Sequence, residues 1–455
     1  MIIHAFMVPH PPIAVSEIGK GEEKRISDTL FGFAKVADII ANIQPDTIVI
    51  SSPHAIMYRD WFSISSGEAG YGDFGQFRAK DVSFEQPYDI AFIHLLDKRL
   101  RQEEFPGGTG YDRQPELDHG VMVPLYFINQ KYTGYKLVRV GLSGLPLTMH
   151  YELGKHIAQV SNELNRRVVF IGSGDLSHCQ KSDGPYGYHE EGPLYDEKIM
   201  ATMSSANFEQ LFSYSPNLLS KSMECGHRSF VIMAGALDQL DVKPTTFCHE
   251  ATFGVGYGIV SYEVLGPNKE RNMLTKYLSQ EKERIARYRE NADELVKLAY
   301  DVVENWLAGK KNTTLPSIPR KAGVFVSIHE FGELRGCIGT ISPCYGNISQ
   351  EIQHNAISAC SRDPRFSPIE QEEFPYLEIS VDELKEAERI PDKSYLDVKK
   401  YGVICSSKDG RRGLLLPDLE GVDTVEQQIE IACRKGGIQD DEEVILERFE
   451  VIRHA

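Results

Sequence analysis

RVVFIGSGDLSH, residues 167–178, sets the fold: four consecutive apolar, β-favouring residues, Val168 to Ile171, break into a Gly-Ser-Gly turn and run on to a histidine. An apolar run without polar alternation suits a central strand covered on both faces, and helical patterns such as 149–165 supply the cover. Outward from this stretch the same rhythm recurs in IIHAFMV (2–8), DTIVISS (46–52) and KLVRVGL (136–142), short runs separated by longer helical segments. The sequence predicts an α/β domain, a sheet covered by helices on both faces, over residues 1–266. Past Pro267 the composition shifts to a charged, helix-favouring stretch (269–307), which marks the boundary of a second domain, 267–455. There GVFVSIHEFGELRGCIGTI (323–341) reads as two strands around a turn at Phe331 to Glu333, and EISVDEL and YGVICSSKDGRRGLLLP add more strands, so the smaller domain is α+β.

Of the 14 histidines, 11 lie in the first 264 residues, which places metal or acid–base chemistry there. Three follow predicted strands: His10 in MVPHPP, His54 in ISSPHA and His178 in GSGDLSH. Ligands gather outside the carboxyl ends of parallel strands, so these segments can converge on one pocket. His119 in ELDHGVMVP can enter from a long loop. Asp175, three residues before His178, either orients that imidazole or caps a following helix.

MVPHPP, SPH, LDHG, GDLSH and ECGHRSF, in this order, resemble the LigB-like class III extradiol dioxygenases and their Memo-like relatives over about residues 1–264. The resemblance implies a non-haem Fe(II), or another divalent transition metal, held by two histidines and a carboxylate, with room for a catecholic or other chelating substrate and dioxygen. Carried onto this chain, it makes His10 and His54 ligands, His178 the acid–base residue and His119 a second pocket histidine. The third ligand falls in SMECGHRSF, where Glu224 and Cys225 stand side by side. If helical, the two side chains diverge by about 100°, so only one faces the metal. The carboxylate is the expected ligand and the thiolate the alternative. The Memo-like branch implies a different reading, a metal, redox or partner-binding protein without ring cleavage.

Residues from about 270 to 455 resemble the AMMECR family, through LRGCIG (334–339), RDPRFSPI (362–369) and RRGLLLP (411–417). The fusion of the two resembles the AmmeMemoRadiSam architecture, which implies a radical-SAM partner protein. Arg335 and Cys337 lie two apart on a strand and so share a face, where an arginine can lower a thiol pKa; the competing reading is a buried structural cysteine.

The 455 residues carry 49 Lys plus Arg against 66 Asp plus Glu, a formal charge of -17, which opposes nucleic-acid binding and an anionic membrane surface. No run reaches the roughly 18 apolar residues of a membrane span, and MIIHAFMVPHPP lacks the features of a secretory signal, so a cytoplasmic location is expected. The eight cysteines include no CxxC pair, which indicates reduced thiols.

Overall fold

The computed structural model describes residues 1–111, 116–310, 316–419, 421–439 and 442–455. The chain forms two compact units, Met1–Tyr277 and Leu278–Ala455, divided within the helix Met273–Asn291. Among the described residues no helix is long and apolar enough to cross a membrane.

The first unit is built on a six-stranded sheet in the order Lys136–Gly141, Thr47–Ser52, Val168–Ser173, Ile2–Val8, Tyr257–Pro267, Leu240–Glu250. The first four strands are parallel and the last two antiparallel. Val168 to Ile171 is fully buried at the centre, as its unbroken apolar character requires. Neighbouring residues at the end of one strand show why both faces are covered. Ser51 hydrogen-bonds Ser229 of the helix His227–Ala236 (Oγ to Oγ, 2.6 Å), while Ser52 donates to Asp118 at the start of the helix His119–Ile128 (2.5 Å). Successive strand residues point to opposite faces, so one helix lies on each side.

On the Ser51 side, His227–Ala236 packs against Leu147–Glu163 with almost no space between backbones. A Cβ on Gly154 would lie 2.0 Å from the Ile232 carbonyl oxygen, and one on Gly235 1.9 Å from that of Tyr151. Only glycine permits this approach.

The second unit is α+β, with two four-stranded antiparallel sheets. One holds Gly323–Glu330 and Glu333–Gly339, joined by Phe331 and Gly332, both at positive φ as a tight hairpin requires. The helices Glu294–Leu307 and Ile348–Ser361 close its core. The other sheet pairs Gly402–Ser406 with Arg412–Leu415 and is backed by Val425–Gly436.

Candidate metal centre

Strand register brings the predicted segments together. Gly172 pairs with Met7 on one side and Ser51 on the other, so three adjacent parallel strands end level. The loops that follow carry His10, His54 and Asp175 to one place. His119 reaches them from the first residue of its helix, whose amino end Asp118 caps by accepting the Val121 N–H. His10, His54 and His119 each offer a ring nitrogen within 4.8 Å of the others. The Nε2 atoms of His10 and His54 are 2.9 Å apart, and the His54 and His119 rings stack at 3.9 Å.

The His10 tautomer follows from its partners. Ser173 Oγ donates its single proton to the Gly120 carbonyl at 2.5 Å. The His10 Nδ1 contact to the same oxygen, 3.0 Å, must then be a donation from Nδ1–H, which leaves the Nε2 lone pair facing the cluster. Burial, then the neighbouring His54 and His178, hold His10 well below the usual imidazole range. Burial, with His10 and His54, pushes His119 down to about 2, and desolvation lowers His54 against the pull of Asp118 and Asp175. All three imidazoles are neutral at pH 7, the state in which they bind metals.

Of the pair Glu224 and Cys225, the structure turns the thiol toward His10, not the carboxylate that the sequence reading preferred. Cys225 Sγ lies 3.6 Å from His10 Nε2. Glu224 instead folds back onto the helix His227–Ala236, its Oε2 accepting the His227 N–H at 2.6 Å. The assumption of a helical pair does not hold: the helix begins at His227, with Met223 left-handed before it. A close backbone approach brings Cys225 in. A Cβ on Gly174 would lie 2.1 Å from Gly226 Cα, and the Asp175 N–H donates to Cys225 Sγ at 3.3 Å.

The donor set fits a transition metal. With metal–nitrogen bonds of about 2.0–2.1 Å and metal–sulfur bonds of about 2.3 Å, two donors on one ion lie about 2.9–3.6 Å apart at right to tetrahedral angles. The pairs His10–His54 and His10–Cys225 each meet that condition, and His119 offers a further ring nitrogen within 4.8 Å of those of both histidines.

Asp175 does neither of the two things foreseen for it. Its Oδ1 accepts the His10 backbone N–H at 2.7 Å, and no helix starts between it and Glu191. Burial raises its carboxyl to about 6. His178 sits beside the cluster, close enough to lower His10, with its ring edge-on to Tyr186 and Nδ1 buried without a hydrogen-bond partner. Sequence reasoning missed Ser173 and Asp118. The second had a readable signal, an aspartate at the N-cap position directly before a helix.

In the second unit the strand carries a bulge where the sequence reading assumed plain alternation: Ile328 pairs with Gly336 but His329 with Leu334, which leaves Arg335 as the extra residue, so a spacing of two does not by itself put Arg335 and Cys337 on one face. They do not form an activated pair. Arg335 is engaged by Glu373 (2.7 Å) and by the Ser367 and Pro368 carbonyls. The Cys337 thiol accepts from Ser327 and is pushed up by burial, not down by the arginine.

The family model described as the catalytic LigB subunit of aromatic ring-opening dioxygenase matches residues 4–260, more than half of the chain. The chain belongs to the LigB family. Behind its LigB region it carries an AMMECR1 domain, matched over residues 296–454. A Clostridium acetobutylicum protein is 38% identical over 463 aligned residues, covering 99% of this chain and 98% of its own. A Thermotoga maritima protein is 48% identical over 35% of this chain and 95% of its own. A solved structure of a Pyrococcus horikoshii protein covers 35% of this LigB-family chain and 88% of its own, at 29% identity and a TM-score of 0.33.

Proposed function

We propose that the LigB unit is a metal-dependent site for a small chelating, ring-sized substrate, in which His10, His54 and Cys225 hold one divalent transition metal. The observation that carries this reading is the convergence of two neutral imidazoles and a thiol at the level ends of three parallel strands. A cavity of about 750 Å³ opens beside it, bounded in part by His54, His119, Phe84 and Met122. Iron(II) is the first candidate for the ion, and when bound it supplies a Lewis acid that lowers the pKa of a chelating hydroxyl. Ser173 fixes the His10 ring, His119 walls the substrate side, and His178 takes the proton that a chelating hydroxyl gives up.

The departure from two histidines and a carboxylate favours redox or binding chemistry of the thiolate-containing kind over ring cleavage. Dioxygen-dependent ring opening is the second reading, supported by the LigB match over residues 4–260. The experiment is anaerobic Fe(II) loading of the full chain, followed by oxygen uptake with a panel of catechols. One metal per chain, lost in His10→Ala and His54→Ala, supports the site. Oxygen uptake that yields a ring-opened product makes the second reading the correct one.

A further inference from the structure

The cavity beside the histidine cluster has a wall chemistry of its own. Three carboxylate residues line it, Asp73, Glu116 and Asp118, and no lysine or arginine is among its described lining residues. Tyr71 and Phe84 complete an aromatic side. The Asp118 carboxylate is spent on only one of its oxygens. Oδ1 accepts from Ser52 and from the Val121 N–H, while Oδ2, on a residue 7% exposed, is buried with no hydrogen-bond partner. Asp73 Oδ1 accepts the Gly75 N–H. The buried Arg139 donates to the Glu116 carbonyl and does not line the cavity.

A buried carboxylate oxygen without a partner is costly unless a positive charge answers it. Because Oδ2 is covered, it acts through its field, which the low-dielectric wall screens poorly. Asp73 and Glu116 stand at more open positions, where direct contact is available. The negative faces of Tyr71 and Phe84 add attraction for the same sign of charge.

We infer that this cavity selects a substrate bearing a cationic group, an ammonium carried on or near an aromatic ring, and disfavours ring carboxylates. The inference rests on the reading of the neighbouring histidine cluster as the reactive site. The cationic group lies against the Asp73 and Glu116 wall, and the ring lies toward His54 and His119.

The test uses three probes with one ring and different charge: tyramine, 4-ethylphenol and 4-hydroxyphenylacetate. Each is titrated calorimetrically into the full chain, both metal-free and loaded with Zn(II) as a redox-inert ion. Tyramine is expected to bind at least about tenfold more tightly than the carboxylate, with 4-ethylphenol between, and the ratio is expected to shrink with added salt. The double variant Asp73→Asn with Glu116→Gln should bring the ratio to within about threefold. Asp118→Asn, which keeps an oxygen for Ser52 and Val121, should reduce it in part. Failure of tyramine to bind, equal or tighter binding of the carboxylate to the loaded chain, or a preference unchanged in all these variants would each overturn the inference. Zinc content is measured on the same samples. Zinc bound without amine preference sinks this inference alone, whereas amine preference without zinc sinks the metal reading and leaves the cationic pocket standing.

Discussion

Exchanging Glu224 for Gln and, separately, Cys225 for Ser distinguishes a helix-capping residue from a metal donor. Glu224 Oε2 holds the His227 N–H, and burial raises its carboxyl from the ordinary 4.5 to about 7. The folded unit therefore binds a proton that the unfolded chain releases across that interval. The resulting stabilisation is fully present below pH 4.5 and is lost as pH rises through about 7. At about 1.36 kcal/mol per pKa unit, and allowing for partial solvent contact, the ionised carboxylate costs about 1–3 kcal/mol at pH 8. Glutamine keeps an acceptor for the His227 N–H and carries no charge. Metal-free Glu224→Gln should match wild type near pH 4.5 and exceed it at pH 8, by about 2–4 °C in Tm for each kcal/mol in a unit of this size. Its metal affinity should stay within a few-fold of wild type. Cys225→Ser should leave Tm nearly unchanged yet weaken metal binding by more than about 100-fold, since losing a mere outer partner of a ligand already costs about 10–100-fold. Thermal unfolding across pH 4.5–8 and anaerobic metal titration read both effects. If Glu224→Gln loses the metal while Cys225→Ser keeps it, the reasoning from side-chain direction is refuted and the carboxylate is the ligand.

His178→Ala should retain one metal per chain while turnover of any substrate found falls by about 10²–10⁴-fold, measured by metal analysis beside steady-state kinetics; loss of the metal would make His178 a ligand. Gly154→Ala should destabilise the first unit by about 1–3 kcal/mol, because its Cβ meets the Ile232 carbonyl rather than a side chain that can move; an unchanged Tm would contradict the helix contact. Asp363, bonded to Arg365 and to the Cys337 N–H, has its carboxyl held down to about 2, chiefly by the Arg365 side chain. Its contribution is full above the ordinary 3.8 and fades as pH falls through about 2, so wild type and Asp363→Asn should differ in Tm at pH 7 and converge in strong acid.

The sequence by itself determined the strands and the segments of the site. Val168 to Ile171 is apolar without alternation because both its faces are covered, and composition alone records that. His10 and His54 follow apolar runs through Pro and Ser punctuation, a local signal, and parallel strands leave their loops at one end of the sheet. The hairpin turn was likewise written in Gly332, a residue that takes positive φ freely, whereas Phe331 beside it takes positive φ against its own preference. Only the tertiary structure decided which atoms meet. Ser173 fixes the His10 tautomer across 163 residues of chain, and Glu373 claims Arg335 across 38, distances at which no periodicity carries information. The choice between Glu224 and Cys225 depended on where a helix starts and on the backbone at Gly174, which comes against that of Gly226 because it has no Cβ. A side chain's direction is set by the backbone that passes closest to it, and that neighbour lies on another part of the chain.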